Sequence, residues 1–199
     1  MKDLTNFEEL SRFTEALSVA LHERDPYTRL HCDRVDFLAC EIGVACGLSE
    51  TELTTLRFSS ALHDIGKIGI PDSVLLKPAG FDRDEWEEMK THSDRGERIV
   101  CATPLLNAAE IGAVIRHHHE CFDGTGYPDG LAGESIPLLS RILSIADSYD
   151  AMATPRVYHQ AKNHDEIMQV LHAEENRKSD PFVFRKFKGI IEQSAWRTA

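Results

Sequence analysis

The chain has 199 residues, 42% of them apolar and 28% charged, and a formal net charge of −11. That length suffices for one domain with a real core, and the composition is ordinary for a soluble globular protein. The acidic balance excludes a broad basic face for duplex nucleic acid, and no apolar run approaches the roughly 20 residues of a membrane helix, whereas a small anionic substrate stays open because a local metal charge can outweigh the global sign.

The apolar periodicity predicts helices along the whole chain. Residues 5–22 carry Leu10, Phe13, Leu17 and Leu21 on one stripe, and Asp25-Pro26 ends it. A second helix covers 28–46, where His31, Val35, Leu38 and Ile42 recur at three- and four-residue steps. His31 therefore lies on the apolar face. Gly47 stops this helix, and Ser49 starts a third with Glu52 completing a capping box. The third helix runs to about residue 64 and sets Leu53, Leu56, Ser60 and His63 on one face, which carries His63 inward. Residues 65–81, rich in Gly and Pro, predict a loop with a short turn of helix. Asp82 caps a fourth helix over 83–102 that contains His92, and Pro104 opens a fifth that ends near His119. Residues 120–137 hold Gly124, Gly126, Pro128, Gly130, Gly133 and Pro137, the mark of a long, sharply turning loop of the functional kind. A sixth helix follows with Leu139, Ile142, Leu143 and Ala146 on its stripe, and helical patterns return at 163–176 and 181–195. No period-two alternation stands out, so the fold class is all-α, a bundle of seven to eight helices in one domain over 1–199, with the Gly/Pro-rich loop between the fifth and sixth.

The cysteines Cys32, Cys40, Cys46, Cys101 and Cys121 form no Cys-x-x-Cys pair, which argues against a thiolate zinc site. Their odd number and the acidic, polar first residues predict reduced thiols in the cytoplasm.

Chemistry concentrates in polar residues on or beside core faces: His31, His63, Asp64, His92, His118, His119 and Asp147. His63-Asp64 stands in an otherwise apolar run, where burying either group alone is costly and a divalent metal compensates both. Imidazole with carboxylate suits iron, manganese, zinc, nickel or cobalt. Seven candidates exceed one tetrahedral ion and fit two ions sharing a carboxylate, a device for hydrolysing phosphate esters. His117, His118 and His119 cannot all face one ion, because successive helical side chains diverge by about 100°. His119 could stand behind the ligands instead of among them.

The motifs extend this set. Asp25-Pro26-Tyr27-Thr28 precedes His31 and Arg34-Val35; then come His63-Asp64-Ile65-Gly66-Lys67 and His92 with Gly96. His118-His119-Glu120 leads into the run from Asp123 through Gly126-Tyr127-Pro128 to Leu131, followed by Ile136-Pro137, Arg141-Ile142, Asp147 and Tyr149-Asp150. In this series, from about residue 20 to 160, the chain resembles the HD-GYP family, a branch of the HD metal-dependent phosphohydrolases. The resemblance implies an HD-domain helical bundle and a phosphodiesterase for cyclic di-GMP, yielding linear pGpG or GMP by attack of a metal-held hydroxide in line at phosphorus. It implies two divalent ions, iron or manganese first, held by His31, His63, Asp64, His92, His118, His119 and Asp147, with Asp64 as the bridge and His117 turned elsewhere. Lys67 would sit against the attacked phosphate, Gly126, Tyr127 and Pro128 would shape the pocket, and Arg156 would hold a phosphate. Diguanylate cyclase domains are implied as partners of the Gly-Tyr-Pro loop.

Two positions depart from the family pattern. Tyr27 stands where some members carry a third-metal Glu, which favours two ions. Arg156-Val157-Tyr158-His159 replaces the usual Arg-Pro-Tyr-Arg, so His159 stands for a permanent cation. Asp150 reads as a packing or supporting group, and His22, His164 and His172 as surface residues. A hydrolase of mixed cyclic GMP-AMP and a non-catalytic binding module are the alternatives; the complete ligand series disfavours the second.

Overall fold

The computed structural model describes residues 12, 14–25, 28–103, 105, 107–155 and 160–198, with backbone alone for 28–30. The expectations attached to Tyr27, Arg156 and His159, and the first helix's start, lie outside the described residues. The described residues form nine α-helical segments and no strand, only an isolated bridge between Glu175 and Ser179. Helix α1 covers 14–22. Helices α2 (Thr28–Cys46) and α3 (Glu50–Leu62) lead into a 3-10 turn, Ile65–Gly69, and the short α4 (Asp72–Leu75). Then follow α5 (Arg83–Cys101), α6 (Ala108–His117), a 3-10 turn at Gly133–Ser135, α7 (Leu138–Ala153), α8 (His164–Ala173) and α9 (Pro181–Ile191).

The helix starts follow from local chemistry. Ser49 and Glu52 form the capping box read from the sequence, and Asp82 and Glu85 form another. Asn163 with Glu166 caps α8, and Asp180 caps α9 ahead of Pro181. Several ends differ from expectation: α8 and α9 stop at Ala173 and Ile191, short of 176 and 195. α3 stops at Leu62, because the chain tightens into the 3-10 turn just after His63-Asp64. α6 starts at Ala108 and stops at His117, which leaves His118 as its C-cap. The four residues of α4 are the short turn of helix expected within 65–81; numbered as a helix, it puts the Gly/Pro-rich segment between α6 and α7.

Helix α2 packs against α3, α7 and α9, while α5 packs against α6 and the first 3-10 turn. The larger core joins Val35, Leu38 and Ile42 of α2 to Ile142, Leu143 and Ala146 of α7 and to Phe184 and Phe187 of α9. A second core gathers Leu21, Phe58, Leu62, Ile65, Val100, Ile111 and Ile115. Each such Leu or Phe contributes about 1.5–3 kcal/mol by leaving water. One histidine expected at the surface is inside. His164 is buried, its Nδ1 2.9 Å from the Tyr149 hydroxyl and its Nε2 3.0 Å from Glu192 Oε1. Partners on α7 and just beyond α9 account for it, and neither is local in sequence. His22 is half-buried, whereas His172 is exposed.

The first 3-10 turn lies directly on α5. A Cβ at Gly66 would fall 1.8 Å from the His92 carbonyl oxygen and 2.6 Å from the Gly96 nitrogen, both backbone atoms that cannot swing away. The Gly66→Ala variant should therefore lose at least about 1–3 kcal/mol of stability. Urea or thermal unfolding reads this, and an unchanged midpoint would mean that the turn does not rest on α5 as described.

Candidate metal centre

Five elements converge on one polar cluster. His31 comes from the first turns of α2, His63 and Asp64 from the end of α3, His92 from the middle of α5, His118 and His119 from the end of α6, and Asp147 from α7. His31, His63, Asp64, His92 and His118 are all buried, and the Asp147 side chain is 17% exposed. The rings contact one another: His63 and His118 lie 5.3 Å apart, His92 and His119 5.0 Å, and His118 and His119 3.9 Å.

Two sub-clusters stand out. The ligand atoms of His31, His63 and Asp64 lie within 4.8 Å of one another, and so do those of His92, His118 and His119. Asp64 faces both: Oδ2 is 3.6 Å from His63 Nε2, and Oδ1 is 3.7 Å from His92 Nε2. Asp147 Oδ1 joins the first group, 3.0 Å from His31 Nε2 and 3.9 Å from His63 Nε2.

The imidazoles are oriented from behind. Nδ1–H of His63, His92 and His118 donates to the carbonyl three residues earlier, at Ser60 (2.7 Å), Met89 (2.8 Å) and Ile115 (2.6 Å). A carbonyl only accepts, so the proton sits on Nδ1 and the lone pair on Nε2. Those three Nε2 atoms are buried and have no hydrogen-bond partner. Burial holds His92 below its ordinary pKa and His118 well below, and it lowers His119 to about 3 with help from His92. Neutral rings with inward lone pairs are ligand-ready. Burial alone would raise the pKa of Asp64, but Lys67, His63, His92 and His31 hold it well below the carboxylate range. Lys67 Nζ lies 2.7 Å from Asp64 Oδ2. The donor set, imidazole and carboxylate without thiolate, fits a divalent first-row metal.

His31 has a support of its own. Its Nδ1 is 2.7 Å from Asp150 Oδ2, and Asp150 also accepts from Arg34 Nε at 2.5 Å and Nη2 at 3.0 Å. Burial opposes a charged His31, yet Asp147 and Asp150 outweigh it and raise the pKa to about 9. Asp150 thus meets the role of a supporting group, and Arg34, quoted in the motif without a role, is its partner.

The segment from His118 to Pro137 folds over this cluster. Glu120 is buried and accepts from the backbone N–H of Asp129 (2.7 Å) and Leu131 (3.1 Å). Asp129 receives both Nε and Nη2 of Arg116 at 2.7 Å and lies 3.0 Å from His117 Nε2, so His117 faces away from the cluster. A Cβ at Gly126 would lie 2.2 Å from the Cys121 nitrogen, so only glycine permits this fold-back. Tyr127 follows through a cis bond to Pro128, and its ring lies 4.9 Å from the His119 ring at 32°. Sequence reasoning gave Glu120 and Arg116 no role; their partners lie 9 and 13 residues on, beyond helical spacing.

The HD domain family profile matches residues 15–183. The chain is 39% identical over 91% of its length to the cyclic di-GMP phosphodiesterase response regulator RpfG of Xanthomonas campestris, covering 48% of that protein. It is 36% identical over 83% of its length to the 3′3′-cGAMP-specific phosphodiesterase 2 of Vibrio cholerae, covering 32% of it. The chain thus spans half or less of these relatives. Among solved structures, that of a cyclic GMP-AMP specific phosphodiesterase of V. cholerae (V-cGAP3) shares the fold, with TM-score 0.69, 22% identity, and coverage of 94% of this chain and 50% of that one.

If Asp150 orients His31, Asp150→Asn should weaken manganese binding about 10–100-fold. Calorimetric titration of the metal-stripped chain measures this, and an affinity equal to wild type would remove Asp150 from the centre.

Proposed function

This chain belongs to the HD domain family, as an HD-GYP domain, and we propose that it is a metal-dependent phosphodiesterase that hydrolyses cyclic di-GMP to linear pGpG or on to GMP. The observation that carries this reading is the set of three buried, partnerless Nε2 atoms around Asp64. On this reading His31, His63, Asp64 and Asp147 hold one ion, His92, His118 and His119 hold a second, and Asp64 serves both. Iron or manganese suits these donors best, with nickel, cobalt or zinc as alternatives. Bound there, divalent ions supply the activated nucleophile and charge neutralisation that phosphodiester hydrolysis needs at neutral pH.

The chain's own groups do the rest. Lys67, held 2.7 Å from Asp64, offers a cation where negative charge grows on the attacked phosphate. Gly126 lets the loop fold back, and Tyr127 then presents an apolar ring beside His119. Pro128 follows Tyr127 and, on this reading, helps to shape the pocket from the loop. The exposed tip at 128–130 is the surface we assign to a diguanylate cyclase partner. No helix among the described residues is long and apolar enough to cross a membrane, and the five free cysteines support a reducing, cytoplasmic setting.

A second substrate, mixed cyclic GMP-AMP, is favoured by the Vibrio cholerae relative that carries that specificity in its name. Both dinucleotides present the same diester ring to the metals and differ only in one base.

The manganese- or iron-loaded protein should linearise cyclic di-GMP. His63→Ala or Asp64→Ala should lower turnover by roughly 10²–10³-fold or more, with the helical circular-dichroism signal retained. Full turnover by metal-free protein would sink the proposal. Faster turnover of mixed cyclic GMP-AMP, assayed in parallel, would replace the substrate and keep the centre.

A further inference from the structure

Trp86 stands on α5, upstream of His92, and its indole is 45% exposed. It is not part of the buried face of that helix, which is Met89, His92, Ser93, Gly96 and Val100. Its ring meets Tyr127 edge to face, with centroids 6.0 Å apart and planes at 83°. Tyr127 in turn lies over His119. Phe81 stacks beside Trp86 with centroids 6.3 Å apart, and Lys90 Nζ lies 5.8 Å from the Tyr127 centroid. Aromatic rings therefore run in contact from the histidine cluster to the surface. An indole left this open costs apolar exposure that packing alone does not recover, and it offers a π surface in line with the ring contacts that lead from the histidine cluster.

We propose that Trp86 is the stacking surface for one guanine base of the substrate, and so a residue that selects for a cyclic dinucleotide over a diester without bases. The inference rests on the reading that the substrate is a cyclic dinucleotide. With one phosphate at the metal cluster, a base that projects outward past Tyr127 meets the exposed pair Trp86 and Phe81, of which Trp86 is the one in contact with Tyr127. Stacking suits the task because every purine has a π face and needs no exact hydrogen-bond register.

The chain has two tryptophans, and the other, Trp196, stacks on Phe37 at 4.9 Å. In a Trp196→Phe background the fluorescence reports Trp86 alone. Titrating that manganese-loaded variant with a slowly hydrolysed phosphorothioate analogue of cyclic di-GMP should give a saturable quench. In kinetics, Trp86→Ala should raise KM for cyclic di-GMP about tenfold or more, with kcat and bound manganese little changed, and Trp86→Phe should fall between. Wild-type turnover with an unchanged KM in Trp86→Ala, or with no quench, would overturn the inference and leave the phosphodiesterase reading standing. Loss of kcat together with manganese would also overturn it, by showing that Trp86 merely supports α5. A quench without turnover would keep the base-stacking site and overturn the catalytic reading; neither quench nor turnover would overturn both.

Discussion

The rest of the structure depends on three imidazole nitrogens that are buried without a hydrogen-bond partner. They are Nε2 of His63, His92 and His118, set around the buried carboxylate of Asp64. Each unsatisfied polar atom costs on the order of 1–3 kcal/mol, which a fold sustains only when something else gains. A cation at the cluster provides that gain for the lone pairs and the carboxylate together. The helix ends help to set the geometry. The last carbonyls of a helix have no partner within it. His63 and His118, as C-caps of α3 and α6, give their Nδ1–H to such carbonyls at Ser60 and Ile115. One contact satisfies the orphan carbonyl, fixes the tautomer and turns Nε2 inward.

The loop over the cluster is built on a different principle. Its backbone has no ladder, only scattered backbone bonds such as Gly133 N–H to Phe122 O (2.8 Å), and side chains brace it: Glu120 takes two N–H groups, and Arg116 fastens Asp129 to Asp94 and Glu97 of α5. The loop's root is tied to the far end of the chain by Phe122 N–H to Lys178 O (3.1 Å) and Asp123 N–H to Arg177 O (2.7 Å). Helices thus carry the metal-seeking donors, and a side-chain-braced loop sets the Tyr127 ring beside His119, the usual division between scaffold and loop.

What was legible in the sequence was local or periodic. The Ser49–Glu52 and Asp82–Glu85 boxes involve residues three apart, and the stripe through His31 and Val35 placed His31 inside. Type and order of the helices followed from the same spacing, while several helices ended short of it. The failures share a physical cause. His164 was read as surface because Tyr149 and Glu192, which satisfy it, stand 15 and 28 residues away. Arg34 reaches Asp150 across 116 residues, and no spacing rule announces that pair.

The segment with Lys67 illustrates how the centre stays ordered without lying wholly on helices. Its carbonyls at Ile68 and Ile70 accept from the Arg24 guanidinium, which also pairs with Asp72, and its Gly69 carbonyl accepts from Arg95. Arg95 is itself paired with Glu88. Gly66 closes the third side against α5. The turn is therefore held by two arginines and one backbone contact, and Lys67 is left directed at Asp64. A cation fixed in this way is preorganised, which is what the role proposed for Lys67 at the phosphate requires. The acidic groups near this turn, Asp72 and Glu88, are paired with arginines, so the charges at the cluster itself include the ammonium of Lys67 and the carboxylates of Asp64 and Asp147.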